Sequence, residues 1–172
     1  LAERAGVQLT PPSPEQDQSR LENDRLENTL EQAVVFFRNQ LIQTSAGKVA
    51  LDYLYQRGLK DPILEGFGYG YAPDSWDAMI GFFTNRGVDT GTLVDCGLVS
   101  ERENGGYYDR FRNRIMIPIR SSEGKMAGFG ARILDPNDMP KFLNSPQTAL
   151  FDKGRLLFGL DKARKSIRLQ DQ

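Results

Sequence analysis

The segment Pro140-Lys-Phe-Leu-Asn-Ser-Pro146, followed by Phe151-Asp-Lys-Gly-Arg155, gathers cationic, amide and hydroxyl donors into an apolar frame with a proline at each end. Proline fixes its own φ at about −65° and steers the preceding residue towards extended backbone, which predicts a rigid, extended rim. Lys141 and Asn144 held on such a rim suit the phosphates of a nucleotide or a nucleic acid. A proline-bounded edge strand with a surface lysine is the plain alternative. Upstream, Arg110, Arg112 and Arg114 alternate within Tyr107–Ile115. In an extended segment these three share a face opposite Asp109, Phe111 and Asn113. Guanidiniums so close need anions facing them, either a phosphodiester backbone or carboxylates of the chain itself. Arg132, Lys141, Asn144, Lys153 and Arg155 could line one groove.

Other chemistries are excluded. The chain has no histidine and a single cysteine, Cys96. Ser-His-Asp and Cys-His triads are therefore impossible, as are an internal disulfide and a zinc site of the usual Cys/His kind. Cys96 is expected to be a buried structural thiol. Gly66-x-Gly68-x-Gly70 and Gly128-Phe-Gly130 match neither the dinucleotide nor the Walker fingerprint and are expected to be structural. No carboxylate cluster for two metals is visible, and Asp135, Asp138 and Asp152 are expected in turns and caps. Binding groups are present without a complete catalytic apparatus, so this chain alone is expected to be inactive.

Of 172 residues, 39% are hydrophobic, and the net charge is −1. That balance hides an asymmetry. Residues 1–105 carry nine Lys/Arg against sixteen Asp/Glu, whereas residues 106–172 carry thirteen against seven. A basic half rich in arginine points to a polyanionic partner. No apolar run approaches the ~18 residues of a membrane span, and the polar N-terminus does not resemble a signal peptide. The expectation is a cytoplasmic protein without a membrane partner.

These groups need elements to carry them. Residues 1–20, with Pro11, Pro12 and Pro14, are expected to be the end of a preceding unit and a linker dispensable for folding. Leu26, Leu30, Ala33, Val34, Phe37 and Leu41 recur at helical spacing and predict a helix over 21–42. A second helix is predicted from Ser45 as N-cap to Gln56, with Gly58 ending it. Asp61-Pro62 should cap a third, and 67–72 should form a strand whose glycines permit close approach. Asp74 and Asp89 should cap two more helices. Period-two segments 114–120 and 125–132 flank Ser121-Ser-Glu-Gly124 and predict a hairpin, with Pro118 marking an edge or a bulge. A last helix is predicted over 160–169. The fold class is α+β: an N-terminal helical layer, then a small antiparallel sheet with a basic groove.

Several motifs then fall in one order: Arg57-Gly-Leu59; Gly68-Tyr-Gly-Tyr-Ala-Pro73 with Trp76; Tyr108-Asp-Arg-Phe-Arg-Asn-Arg-Ile-Met-Ile-Pro-Ile-Arg120; Gly128-Phe-Gly-Ala-Arg-Ile-Leu134; and the opening segment with Phe151-x-Lys-Gly-Arg155 and Gly159-Leu160. In order and spacing, over about residues 50 to 165, they resemble bacterial DnaG-type DNA primases. Ile117, Ala131, Phe142 and Gln147 depart from residues the family often has. The resemblance implies that residues 1–20 end a zinc-binding domain and its linker. It implies that 21–170 form the N-terminal subdomain of the catalytic core, with a Toprim subdomain to follow. The parent would make short RNA primers on single-stranded DNA from ribonucleoside triphosphates. No cofactor is expected on this segment; Mg2+ or Mn2+ would bind the Toprim subdomain, Zn2+ the preceding domain, and the replicative helicase a separate domain. Arg57, Arg112 and Arg132 would grip the template, and Lys141, Asn144 and Lys153 would sit nearest nucleotide and primer. The alternative is a non-catalytic single-strand-binding module of a Toprim-like protein.

Overall fold

The computed structural model describes residues 11–156 and Gly159. The helix predicted over 160–169 and the tail at 1–9 lie outside the described residues. Helix α1 spans Pro14–Gln43 and begins seven residues before the predicted start. Pro14 opens this helix instead of barring it, because a proline in the first turn gives up a donor that has no partner there anyway. Ser13 and Gln16 close a capping box around the first turn. The first buried position is Leu26, and Leu26, Leu30, Ala33, Phe37 and Leu41 then recur along one face.

Helix α2 (Ser45–Gln56) is capped by Thr44, not Ser45, through a 2.9 Å bond from the Gly47 amide. Helix α3 (Asp61–Phe67) has Lys60 at its N-cap. Asp61 lies inside the first turn and accepts from the Tyr55 hydroxyl at 2.6 Å. Strand β1 (Gly70–Ala72) is shorter than predicted, and it crosses α1 so tightly that a Cβ at Gly70 would lie 2.5 Å from Phe37 Cβ.

Helix α4 (Ala78–Thr84) begins after Trp76, at N-cap Asp77. Asp74 does not cap it. Its amides are taken by Ser75 Oγ and by the carboxylate of Asp109, thirty residues on. Helix α5 (Thr90–Asp95) is capped by Asp89 as predicted. Strands β2 (Val99–Glu101) and β3 (Tyr107–Asp109) form a two-stranded sheet.

Strands β4 (Arg114–Arg120), β5 (Met126–Ile133) and β6 (Phe142–Asn144) join β1 in an antiparallel sheet of order β1-β4-β5-β6. Pro118 lies beyond the end of β1, where β4 has only β5 to pair with, and a bulge follows at Ile119/Arg120. Both readings of that proline hold. One face of the sheet presents Met116, Phe129 and Ala131 to α1, α4 and α5 in the main core. On the other face Ile115 packs with Leu41, Ala50, Leu54, Leu64 and Tyr71. The fold is α+β, as predicted.

Candidate nucleic-acid interface

Register sets the interface on β4, β5 and β6. Ile115, Arg132 and Phe142 form one row across the three strands, and Ile117, Gly130 and Asn144 form the next. Side chains in register two residues apart share a face, so Arg132, Phe142 and Asn144 point the same way. Arg132 Nε donates to the Tyr53 hydroxyl at 3.2 Å, and its guanidinium carbon lies 5.2 Å from the Phe142 ring centroid. Lys141 Nζ lies 5.8 Å from the same ring. Arg57, stacked 5.1 Å from the Tyr53 ring, lines one hollow with Arg132 and Lys141. Asn144 and Lys153 line the adjoining hollow, floored by Ile117, Ile119 and Gly130. Phe142 lines this second hollow, and its ring lies beside Arg132 and Lys141 of the first.

The opening motif is thus an edge strand as well as a donor-bearing rim. Its end is pinned by Ser145, fully buried, whose Oγ accepts from the Phe129 amide and whose own amide donates to the Phe129 carbonyl, each at 2.8 Å. Lys141 precedes the strand and gives its carbonyl to the Ile133 amide. Ala131 is extended within β5.

The predicted arginine strip is not one strand. β3 stops at Asp109 and β4 starts at Arg114, because Asn113 takes φ of 47° and breaks the alternation. Asn113 is held there by the Tyr71 hydroxyl at 2.9 Å. The three arginines nonetheless line one hollow, with Asp74, Tyr108 and Asp138. Their roles within it diverge. Arg110 Nη2 donates to the Asn144 carbonyl at 3.1 Å, while its buried Nε has no hydrogen-bond partner. The Arg112 guanidinium carbon lies over Trp76, 3.8 Å from the ring centroid. Arg114 is buried and donates to the Pro140 and Met139 carbonyls at 2.7 and 3.3 Å. Burial draws Arg110 and Arg114 below the ordinary guanidinium value, yet arginine keeps its charge in proteins.

The helix expected from Asp74 would include Trp76, but Trp76 lies in the loop before α4. Here it is 55% exposed, sets its edge to Tyr108 at 5.7 Å, and has Arg102 5.4 Å from its ring. Aromatics interleaved with arginines make a platform on which bases can stack. No sequence period marks this group, because loop 73–77 and the end of β3 bring it together.

The ion pairs among the described residues consume other charges. Glu27 holds Lys125, Glu31 holds Arg120, and exposed Arg155 pairs with Asp152 at 3.5 Å. None of these pairs involves Arg57, Arg110, Arg112, Arg132, Lys141 or Lys153. Cys96 is buried, and burial pushes its thiol up to about 12. Among the described residues, no three His, Cys, Asp or Glu side chains come together as a metal-ligand set, and no helix is long and apolar enough to cross a membrane.

The family model for the DNA primase catalytic core, N-terminal domain, matches residues 36–164. The DNA primase of Deinococcus radiodurans is 44% identical over 169 residues, which is 97% of this chain and 28% of that protein. A DnaG primase catalytic domain solved bound to ssDNA has a TM-score of 0.77 at 36% identity, over 86% of this chain and 45% of that one. The Aquifex aeolicus primase, solved with its zinc-binding and RNA polymerase domains, gives 0.77 at 27% identity, over 98% and 39%. The chain spans less than a third of the length of the curated relatives it matches.

Proposed function

The chain belongs to the family of the N-terminal domain of the DNA primase catalytic core, and from that premise we propose that it forms the template- and nucleotide-binding wall of a primase cleft. The parent protein would be a DNA-directed RNA polymerase that lays short RNA primers on single-stranded DNA. Arg57, Arg112 and Arg132 hold the template, their guanidiniums neutralising phosphates while Trp76 and Phe142 offer ring faces to bases. Lys141, Asn144 and Lys153 sit nearest the incoming ribonucleoside triphosphate and the primer end. Arg110 borders both regions through its bond to the Asn144 carbonyl. Arg155, bound to Asp152, contributes at the rim.

The convergence of Arg57, Arg132 and Lys141 around Phe142, with Asn144 and Lys153 in the adjoining hollow, carries this reading. Mg2+ or Mn2+ on the Toprim carboxylates of the parent would supply the phosphoryl-transfer chemistry. This chain's own part is to bind and orient. Zn2+ belongs to the parent's zinc-binding domain, and the replicative helicase to a further domain.

Kinetics of the parent enzyme divide the roles. Asn144→Ala and Lys153→Ala should raise KM for ribonucleotides and leave template affinity nearly unchanged. Arg57→Ala and Arg112→Ala should do the reverse. Equal effects of all four on both quantities would contradict the division.

A further inference from the structure

We propose that Asp109 is the positioning residue that holds Trp76 and Arg112 together as one plate for the template strand, an inference that rests on the single-strand reading above. Asp109 is 3% exposed, and none of the ion pairs among the described residues includes it. Its Oδ2 accepts from the Met79 amide at 2.7 Å and its Oδ1 from the Ile80 amide at 3.1 Å. Its main-chain amide donates to the Trp76 carbonyl at 2.8 Å, and its carbonyl accepts from Arg112 Nη1 at 2.5 Å. One residue therefore binds the first turn of α4, the backbone of Trp76 and the guanidinium that covers the Trp76 ring.

The loop that carries Trp76 has no ladder of its own. Its other ties include the bond from the Asn113 amide to the Pro73 carbonyl, the Ser75 hydroxyl at the start of α4, and the contacts of the Trp76 ring with Tyr108 and Arg102. A buried carboxylate is costly unless its oxygens are bonded, and here both are. An asparagine of the same shape has one acceptor oxygen, so its NH2 would face one of the two amides, donor against donor. The outcome is a loosened α4 start and a Trp76 freed from Arg112. Asp109 touches no nucleic acid in this arrangement. It acts through Trp76 and Arg112.

Trp76 is the single tryptophan of the chain, so emission reports on it alone. In the whole 172-residue chain, Asp109→Asn should red-shift that emission and increase quenching by acrylamide, both read without DNA. Affinity for a labelled oligo-dT should fall about tenfold, one charge-assisted hydrogen bond's worth. On a Trp76→Ala/Arg112→Ala background the same change should cost no more affinity, whereas a general weakening of the fold would cost as much in both. A folded Asn variant with unchanged emission and quenching would overturn the proposal. Should that variant not fold, amide exchange on the wild type decides. Oligo-dT should slow exchange at Met79 and Ile80, and no slowing there would equally overturn it. Failure of the wild type to bind oligo-dT would sink the single-strand reading instead, leaving the emission arm to decide what Asp109 holds.

Discussion

Lys141 is exposed, its carbonyl serves the sheet, and its side chain lies beside the Phe142 ring. Removing the side chain leaves the fold's bonds in place. Lys141→Ala in the full-length parent should cut primer synthesis tenfold or more, since a charge-assisted phosphate contact is worth about 1.5–3 kcal/mol. The melting temperature should barely move, and Lys141→Arg should rescue in part. Full activity of the alanine variant at limiting nucleotide would contradict this. Asp109 allows a pH test. Burial pushes its carboxyl above 3.8, against the pull of the Met79 and Ile80 amides. A carboxyl that binds its proton more tightly when folded contributes stability that is full below its unfolded value and lost as pH rises through the folded one. Asp109→Asn, which cannot titrate, should flatten the melting profile just above pH 3.8; an unaltered profile would count against it. Residue types were legible at this scale and partners were not. Three alternating arginines announce a basic strip, yet nothing in their spacing says that Arg112 stacks on Trp76 while Arg114 turns to the Pro140 carbonyl. Asn113, in the left-handed region without being glycine, makes that division, and such a conformation leaves only a weak sequence signal.

Elements were read well wherever their signal is local. The Ser121–Gly124 hairpin, the Asp89 cap and the α1 apolar stripe each depend on residues a few positions apart. The differences are the length of β1, the break at Asn113 and several caps. At α4 the Met79 and Ile80 amides take their acceptors from Asp109, a contact between residues about thirty apart that no window along the chain can contain. Two close approaches are testable. Gly70→Ala would drive a Cβ to 2.5 Å from Phe37 Cβ and 2.8 Å from the Phe37 carbonyl carbon. That backbone cannot yield, so a loss of about 1–3 kcal/mol is expected in a denaturant melt. A melt unchanged from wild type would mean that β1 can lift off α1. Ser145→Ala removes the acceptor of the buried Phe129 amide, costing about 1–3 kcal/mol, and should also blunt nucleotide binding by loosening β6. The N-terminal turns of α1 behave differently. Residues 14–22 are all exposed and burial begins in earnest at Leu26, so a chain starting at Leu21 should lose the capping box and keep its melting temperature within a few degrees. A large drop would mean that those turns pack on something.

At the scale of the whole molecule, opposite charges meet in part internally. Acidic α1 engages the hairpin through Glu27–Lys125 and Glu31–Arg120. Among the described residues, the cations outside any carboxylate pair include those around Phe142 and Trp76. The charge imbalance between the halves was legible from composition; which cations stay free of carboxylates required the register of β5 with β6. With no histidine, one cysteine and no clustered acids among the described residues, the 172-residue chain by itself is expected to make no primers from template, ribonucleotides and Mg2+ or Mn2+. Template-dependent product from a pure preparation would overturn the proposed division of labour with the Toprim portion. Whether these cations track a single strand is decided by oligo-dT binding across a salt series for the wild type and Arg132→Ala. Salt-weakened binding is expected in both, with a log–log slope shallower in the variant by ~0.7, one phosphate's worth on a single strand. An unchanged slope accompanied by lost stability would contradict it and make Arg132 a structural partner of Tyr53.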